Sequence, residues 1–267
     1  MIIDAHTHVF PERIAENAIR TLETIGKEKA VIGGTANDLI NAMDLSGVDK
    51  SVILPVVTKP QQFESIFNFA KELAAKKRFI VFAGIHPLCE NINKLLDLIA
   101  ENGFKGVKLH PDYQQTDITD EGYIRILEGC RKRGLIAVIH AGVDPAYPDH
   151  VHCPPEASAQ VVRELTISEP FIVLAHLGGT KQIDEVESHL IGLPVYMDTS
   201  FVLDSIERER VCDLIESHGY ERILFATDSP WRNAKQYVSI IKSLPLSKTE
   251  QDAILGNNCV KLLKGNI

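Results

Sequence analysis

Short apolar, β-branched runs recur along the chain, and each stops at a polar residue or at Gly or Pro. Eight are legible, at residues 2–9, 51–56, 79–86, 106–110, 136–140, 171–176, 195–200 and 223–228. Continuous stretches such as Ile-Val-Phe-Ala and Phe-Ile-Val-Leu-Ala suit strands covered on both faces. Between them the apolar period changes to three and four. Phe63, Ile66, Phe67, Ala70, Leu73 and Ala74 follow it, as do Leu95, Leu98 and Ile99, and later Ile206, Val211, Leu214 and Ile215. That spacing predicts amphipathic helices. Ser247 followed by Glu250 predicts a capping box at the start of the last helix.

Strand alternating with helix predicts a parallel sheet, and eight repeats predict closure into a (β/α)₈ barrel. The 267 residues match the ~250 such a barrel needs, so residues 1–267 are expected to form a single barrel domain. Residues 11–50 exceed one crossover helix and predict an additional helix or active-site loop. Residues 143–155, rich in Pro, Asp and His, predict a long loop over the barrel mouth.

Composition narrows the partners. The net charge of −8 disfavours nucleic acid and anionic membrane, which need a cationic face. A small-molecule substrate is expected instead, with a homo-oligomer left open. The five cysteines are scattered without a CxxC pair, which predicts free thiols in a reducing cytoplasm. No apolar run is long enough to span a membrane, and no signal peptide is legible, because Asp4 and His6 interrupt the first apolar run.

The chemistry lies at the ends of the predicted strands. His6 and His8, His86, His110, His140, His176, Asp198 and Asp228 all fall there, and strand C-termini form the active-site rim of a (β/α)₈ barrel. His6 and His8 stand two apart, so on a strand both point to one face and can chelate one cation. Alone, the pair reads better as two hydrogen-bonded structural histidines; the other strand-end residues turn it towards a metal. His140 is followed by Ala141 and Gly142, which leave space above it. Asp228 follows a buried apolar stretch, where a carboxylate needs a partner or a metal. His6, His8, His140 and Asp228 form an N/O set suited to Zn²⁺, and also to Mn²⁺, Fe²⁺ or Co²⁺. His176 reads as a ligand or a catalytic group, with catalysis preferred.

Asp-Ala-His-Thr-His at 4–8, His140, Ala-His-Leu-Gly-Gly at 175–179 and Thr-Asp-Ser-Pro-Trp at 227–231 together resemble the amidohydrolase superfamily. More narrowly, they resemble its amidohydrolase-related branch, which includes aminocarboxymuconate-semialdehyde decarboxylase. The likeness runs to Gly-Asn-Asn-Cys-Val-Lys-Leu-Leu near the end of the chain. It implies a distorted barrel with one divalent metal held by His6, His8, His140 and Asp228, and a catalytic His176. Binuclear relatives carry a carboxylated lysine or a glutamate at the end of strand four. Here Val-Lys-Leu-His-Pro stands there, which leaves a second metal open and makes Lys108 and His110 candidates for substrate contact. His86 reads equally as a substrate contact or as a hydrogen-bonded structural residue, and His152 is a further candidate for substrate contact. His150, His152 and Cys153 offer a second metal site or, preferably, a lid. Asp198 is expected to orient a ligand histidine by hydrogen bonding, and Asp4 either to do the same or simply to cap the strand.

The expected activity is hydrolysis of a small amide, lactone or related carboxylic derivative by a metal-activated water, with Asp228 as proton acceptor and His176 at the oxyanion. The same branch contains decarboxylases and hydratases, so a lyase acting on a small unsaturated acid is the alternative.

Overall fold

A computed structural model describes residues 1–166 and 169–265. Nine parallel strand segments build the wall: β1 (Ile3–Thr7), β2 (Lys50–Ile53), β3 (Phe79–Val81), β4 (Ala83–Gly84), β5 (Gly106–Leu109), β6 (Ile136–Ile139), β7 (Ile172–Leu174), β8 (Tyr196–Asp198) and β9 (Ile223–Leu224). β3 and β4 are one predicted strand broken at Phe82; β3 pairs with β2 and β4 with β5. The barrel closes where β9 returns to β1. Ala5 N donates to Phe225 O at 2.8 Å, Asp228 N to His6 O at 2.9 Å and His8 N to Ser229 O at 2.7 Å. The eight predicted strands and their closure into a (β/α)₈ barrel are therefore present.

Helices α1 (Glu12–Gly26) and α2 (Ala36–Ser46) fill the long segment after β1. α3 (Phe63–Ala74), α4 (Ile92–Glu101), α5 (Pro111–Gln114), α6 (Glu121–Arg133), α7 (Pro155–Leu165), α8 (Ile183–His189), α9 (Arg208–His218), α10 (Ala234–Ser243), α11 (Lys248–Asp252) and α12 (Asn258–Leu262) follow. The capping box at α11 forms as expected: Ser247 N donates to Glu250 Oε2 at 2.7 Å, and Ser247 Oγ accepts from Glu250 N at 3.3 Å. Ile206 lies before α9 rather than within it.

Two apolar layers follow from strand alternation. Ile80, Phe82, Ile136, Val138, Val173 and Leu224 fill the barrel interior together with Ile3 and Ala5. Ile53, Val81, Ala137, Ile139 and Leu174 face outward and pack under the helices.

One irregularity builds the site. Between Asp4↔Ser51 and Thr7↔Ile53, β1 advances three residues while β2 advances two. A slip of one residue exchanges the faces of a strand. Ile3 and Ala5 therefore point into the barrel floor, and His6 and His8 also point inward above them.

Candidate active site

The inward-facing residues at the strand C-termini converge. His6 Nε2 and His8 Nε2 are 3.1 Å apart, and Asp228 Oδ1 lies 3.4 Å from the first and 3.2 Å from the second. Their other ring nitrogens are committed. His6 Nδ1 is 2.8 Å from Asp198 Oδ2, and His8 Nδ1 is 2.8 Å from Leu54 O. Facing a carboxylate and a carbonyl, both Nδ1 atoms must be N–H donors. In neutral imidazoles, both Nε2 atoms then present lone pairs to each other and to a carboxylate. Such a set needs a cation, and a divalent metal fits it. Lys108 Nζ approaches the same point, 3.1 Å from His6 Nε2.

His176 lies beside this group. Its Nδ1 is 3.0 Å from Ser200 O and its Nε2 is 3.0 Å from His140 Nδ1. Asp198 accepts from His176 N at 3.1 Å and from Ser200 N at 3.0 Å, while also holding His6. Asp198 thus makes the expected hydrogen bond to the ring of His6. Asp4 differs: it accepts from Thr227 N at 3.0 Å and Thr227 Oγ1 at 2.6 Å, and from the backbone of His6 at 3.3 Å. It ties β1 to the segment leading to Asp228 rather than holding a ligand ring.

His140 does not join the tight group of His6, His8 and Asp228. Among the described residues its ligand atoms cluster instead with His110 and Asp144. His110 stacks on it at 4.1 Å. Its Nε2 lies 3.6 Å from Asp112 Oδ2 and 3.8 Å from Asp144 Oδ2, and neither that nitrogen nor Asp112 Oδ2 has a hydrogen-bond partner. A proton on Nε2 would leave the Nδ1 lone pair facing His176. A proton on Nδ1 would leave the Nε2 lone pair facing two carboxylates. Either way one face of His140 calls for a cation or a proton.

Burial sets the charge states. It pushes His6 down to about 4, helped by Lys108, and holds His176 low and His110 and His140 far below the usual imidazole value. These four imidazoles are therefore neutral, as metal ligation requires. Burial also draws Lys108 down to about 8 and lifts Asp144 to about 7. For Asp228, burial pushes upward, but the close approach of His8 and the neighbouring His6 and His176 outweigh it and keep the carboxyl below its ordinary range. Asp228 and His176 also hold left-handed backbones, φ 64° and 60°. For non-glycine residues this stores strain of the kind found at functional sites.

A cavity of about 430 Å³ opens above these groups, within the size range of small-molecule sites. His6, His8, Lys108, His110, His140, His176 and Asp228 line it. The 143–155 loop follows β6 as expected and contributes Asp144 and Pro145 to the lining. It is pinned at Gly142, where φ is 84° and an added Cβ would fall only 2.1 Å from Thr180 N.

Of the two readings of His86 the structural one holds, and the expected substrate contact of His152 is not made. His86 and His152 are absent from the cavity wall. His86 Nδ1 accepts from Leu88 N at 3.1 Å, closing the turn after β4. His152 Nδ1 bonds Asp112 Oδ1 at 3.0 Å, beneath the loop. Cys153 is buried against Ser158 Oγ at 3.2 Å and faces no metal group; His150 and His152 cluster with Asp117 instead. Asp112 and Asp144 also stand beside His140, although neither ends a predicted strand. Both follow strand-end histidines closely, in His-Pro-Asp and in His-Ala-Gly-Val-Asp, and that proximity was the available signal.

All five cysteines are free and buried. Among the described residues no helix is long and apolar enough to cross a membrane.

The chain is similar over its full length to solved structures. A 2,6-dihydroxybenzoate decarboxylase from Rhizobium superposes with a TM-score of 0.72 at 14% identity, covering 98% of each chain. A dihydroxybenzoic acid decarboxylase from Polaromonas, with bound manganese and 2-nitroresorcinol, gives 0.71 at 15% identity and covers 100% of this chain and 97% of its own. A candidate 2-pyrone-4,6-dicarboxylic acid hydrolase from Pseudomonas putida gives 0.68 at 18%, covering 100% and 98%. No curated protein matches by sequence. The family model described as amidohydrolase matches residues 3–265. The chain belongs to the amidohydrolase family.

Proposed function

We propose that this protein is a metal-dependent hydrolase of a small amide, lactone or related carboxylic derivative. The observation that carries this is the convergence of His6 Nε2 and His8 Nε2, 3.1 Å apart beside Asp228, with both Nδ1 atoms committed elsewhere. One divalent ion, Zn²⁺ or another first-row metal such as Mn²⁺, would be held by His6, His8 and Asp228. His140 would be the fourth donor, through the Nδ1 that faces His176. Such an ion polarises a carbonyl and makes water a nucleophile near neutral pH.

The chain's own residues supply the rest. Asp228, held ionised, accepts a proton. His176, its Nδ1 committed to Ser200 O, presents Nε2 towards the cavity and His140, where it moves a proton or, once protonated, stabilises an oxyanion. Lys108 and His110 contact the substrate. Asp198 fixes the ring of His6, and Asp112 stands behind His140. Residues 1–267 are taken as one domain. The acidic balance favours a small molecule over nucleic acid as partner, and five free thiols favour a cytoplasmic setting; a homo-oligomer is compatible with both.

Decarboxylation at the same residues is the second reading, favoured by the decarboxylases among the similar structures. Protein incubated with panels of amides, lactones and unsaturated or aromatic acids, with product and carbon dioxide detection, separates the two. Elemental analysis of the same preparation tests the metal. Protein that remains without divalent metal after supplementation, yet turns over substrate, would overturn the proposal.

A further inference from the structure

The cavity has two chemically different ends. Its floor carries the histidines, Lys108 and Asp228. Away from that floor its lining, here termed the slot, includes apolar side chains of two helices, α1 and α3, among a few polar ones. On α1 the lining residues Ile14, Ala18 and Leu22 recur every four positions, and a four-residue spacing keeps them on one face. On α3, Ile66 and Phe69 line the same cavity.

The α1 ridge has no role in the protein core. Ala15 is the only buried residue of α1, Ile14 remains 38% exposed, and Ala18 and Leu22 are part-exposed. A helix that covered the barrel for stability alone would bury its apolar stripe. This one turns the stripe towards the slot. From Ile14 to Leu22 the ridge runs about 12 Å at ~1.5 Å per residue. The cations lining the whole cavity are Lys108, already engaged with His6, and Arg13 at the exposed start of α1. A compact dianion would fill the polar floor and leave the slot wetted.

We infer that the α1–α3 slot is a binding subsite for an apolar tail. The substrate is then an amphiphile, with a carboxyl-derived head at the His6–His8–Asp228 floor and an alkyl or aryl chain lying along Ile14, Ala18 and Leu22. The head's placement rests on the proposed metal site; the tail subsite does not.

Two homologous probe series test this by calorimetry on the protein as purified. Straight-chain carboxylates from acetate to octanoate engage both floor and slot. Straight-chain alcohols from butanol to octanol need only the slot. Affinity is expected to rise about fourfold for each added methylene in both series, the equivalent of ~0.8 kcal/mol per buried CH₂. Ala18→Trp fills the slot, and it should flatten both series while leaving acetate binding unchanged. Ile14→Asn, at a position already exposed and safe for folding, should remove the gain from the last methylenes only. Chain-length dependence for alcohols with no carboxylate binding would support the slot while sinking the metal head site. Affinity independent of length in both series, or a rise unaffected by both substitutions, would overturn the subsite.

Discussion

Lys108 Nζ lies 3.1 Å from His6 Nε2, and both side chains are buried. The lysine ammonium thus donates to the lone pair that the proposed metal would use, so proton and metal compete for one atom. Burial lowers Lys108 to about 8 and His6 to about 4. Above pH 4 the imidazole is already neutral, so the remaining competitor is the lysine proton. As pH rises through about 8 that proton is lost and the repulsion of a dication goes with it. Metal affinity should therefore increase across that window. Lys108→Met should abolish this rise and bind metal about tenfold or more tightly at pH 7, given the Coulomb energy of charges a few ångströms apart. Chelator competition from pH 6 to 9 is the measurement. An identical slope in wild type and variant would remove Lys108 from the account.

Asp198 gathers His6 Nδ1, His176 N and Ser200 N on one buried carboxylate. It fixes the tautomer of His6 and raises its basicity as a ligand, an arrangement whose loss typically lowers metal affinity ~10–100-fold. Asp198→Asn should show that loss in metal titration while circular dichroism stays native. Undiminished affinity would mean that His6 needs no carboxylate behind it, or that His6 is not a ligand.

The barrel was legible because its period is carried by local apolar spacing: every predicted strand found a place in the wall. The polar residues at strand ends were legible for the same reason, since a His or Asp after a buried run has few places to point except the mouth. What sequence spacing could not give is register. His6 and His8 point inward beside Ile3 and Ala5 because of one extra residue in β1, and simple alternation would have set them on opposite faces. Nor could spacing tell a lining residue from a supporting one. His86 and His152 sit at the expected chain positions, but short turns aim them at Leu88 N and at Asp112. Asp112 and Asp144 became visible only when three strand ends were brought together.

His152 therefore carries a changed expectation. It bonds Asp112 Oδ1 through both its ring and its backbone N–H, at 3.0 and 3.2 Å, and Asp112 in turn faces His140. His152→Ala keeps the backbone bond and loses the ring. One net hydrogen bond is worth ~1 kcal/mol, a factor of about five. Turnover should fall by about that factor with KM unchanged, because the ring stands behind Asp112 and away from substrate. A raised KM at normal turnover would place His152 against the substrate after all.

Asp228 and His176 separate ligation from proton transfer. Asp228 sits on a strained left-handed backbone with Oδ1 3.4 and 3.2 Å from the two Nε2 atoms. Asn keeps the shape and one carbonyl oxygen but is a far weaker base, so Asp228→Asn removes proton acceptance more completely than it removes a ligand. Metal content should stay near wild type while turnover falls by about 10²–10⁴-fold, the usual contribution of a general base. His176 is held by Ser200 O through Nδ1 and is proposed to act on the substrate, so His176→Ala should also retain metal and lose turnover. His6→Ala and His8→Ala should instead lose both together. Metal stoichiometry and turnover must be read on the same samples, because only the pairing distinguishes the roles. Near wild-type turnover in Asp228→Asn would end the case for Asp228 as the base. Loss of metal in His176→Ala matching that in His6→Ala would move His176 from catalysis into the ligand set, with its Nε2 and His140 Nδ1 sharing the ion that their 3.0 Å approach already accommodates.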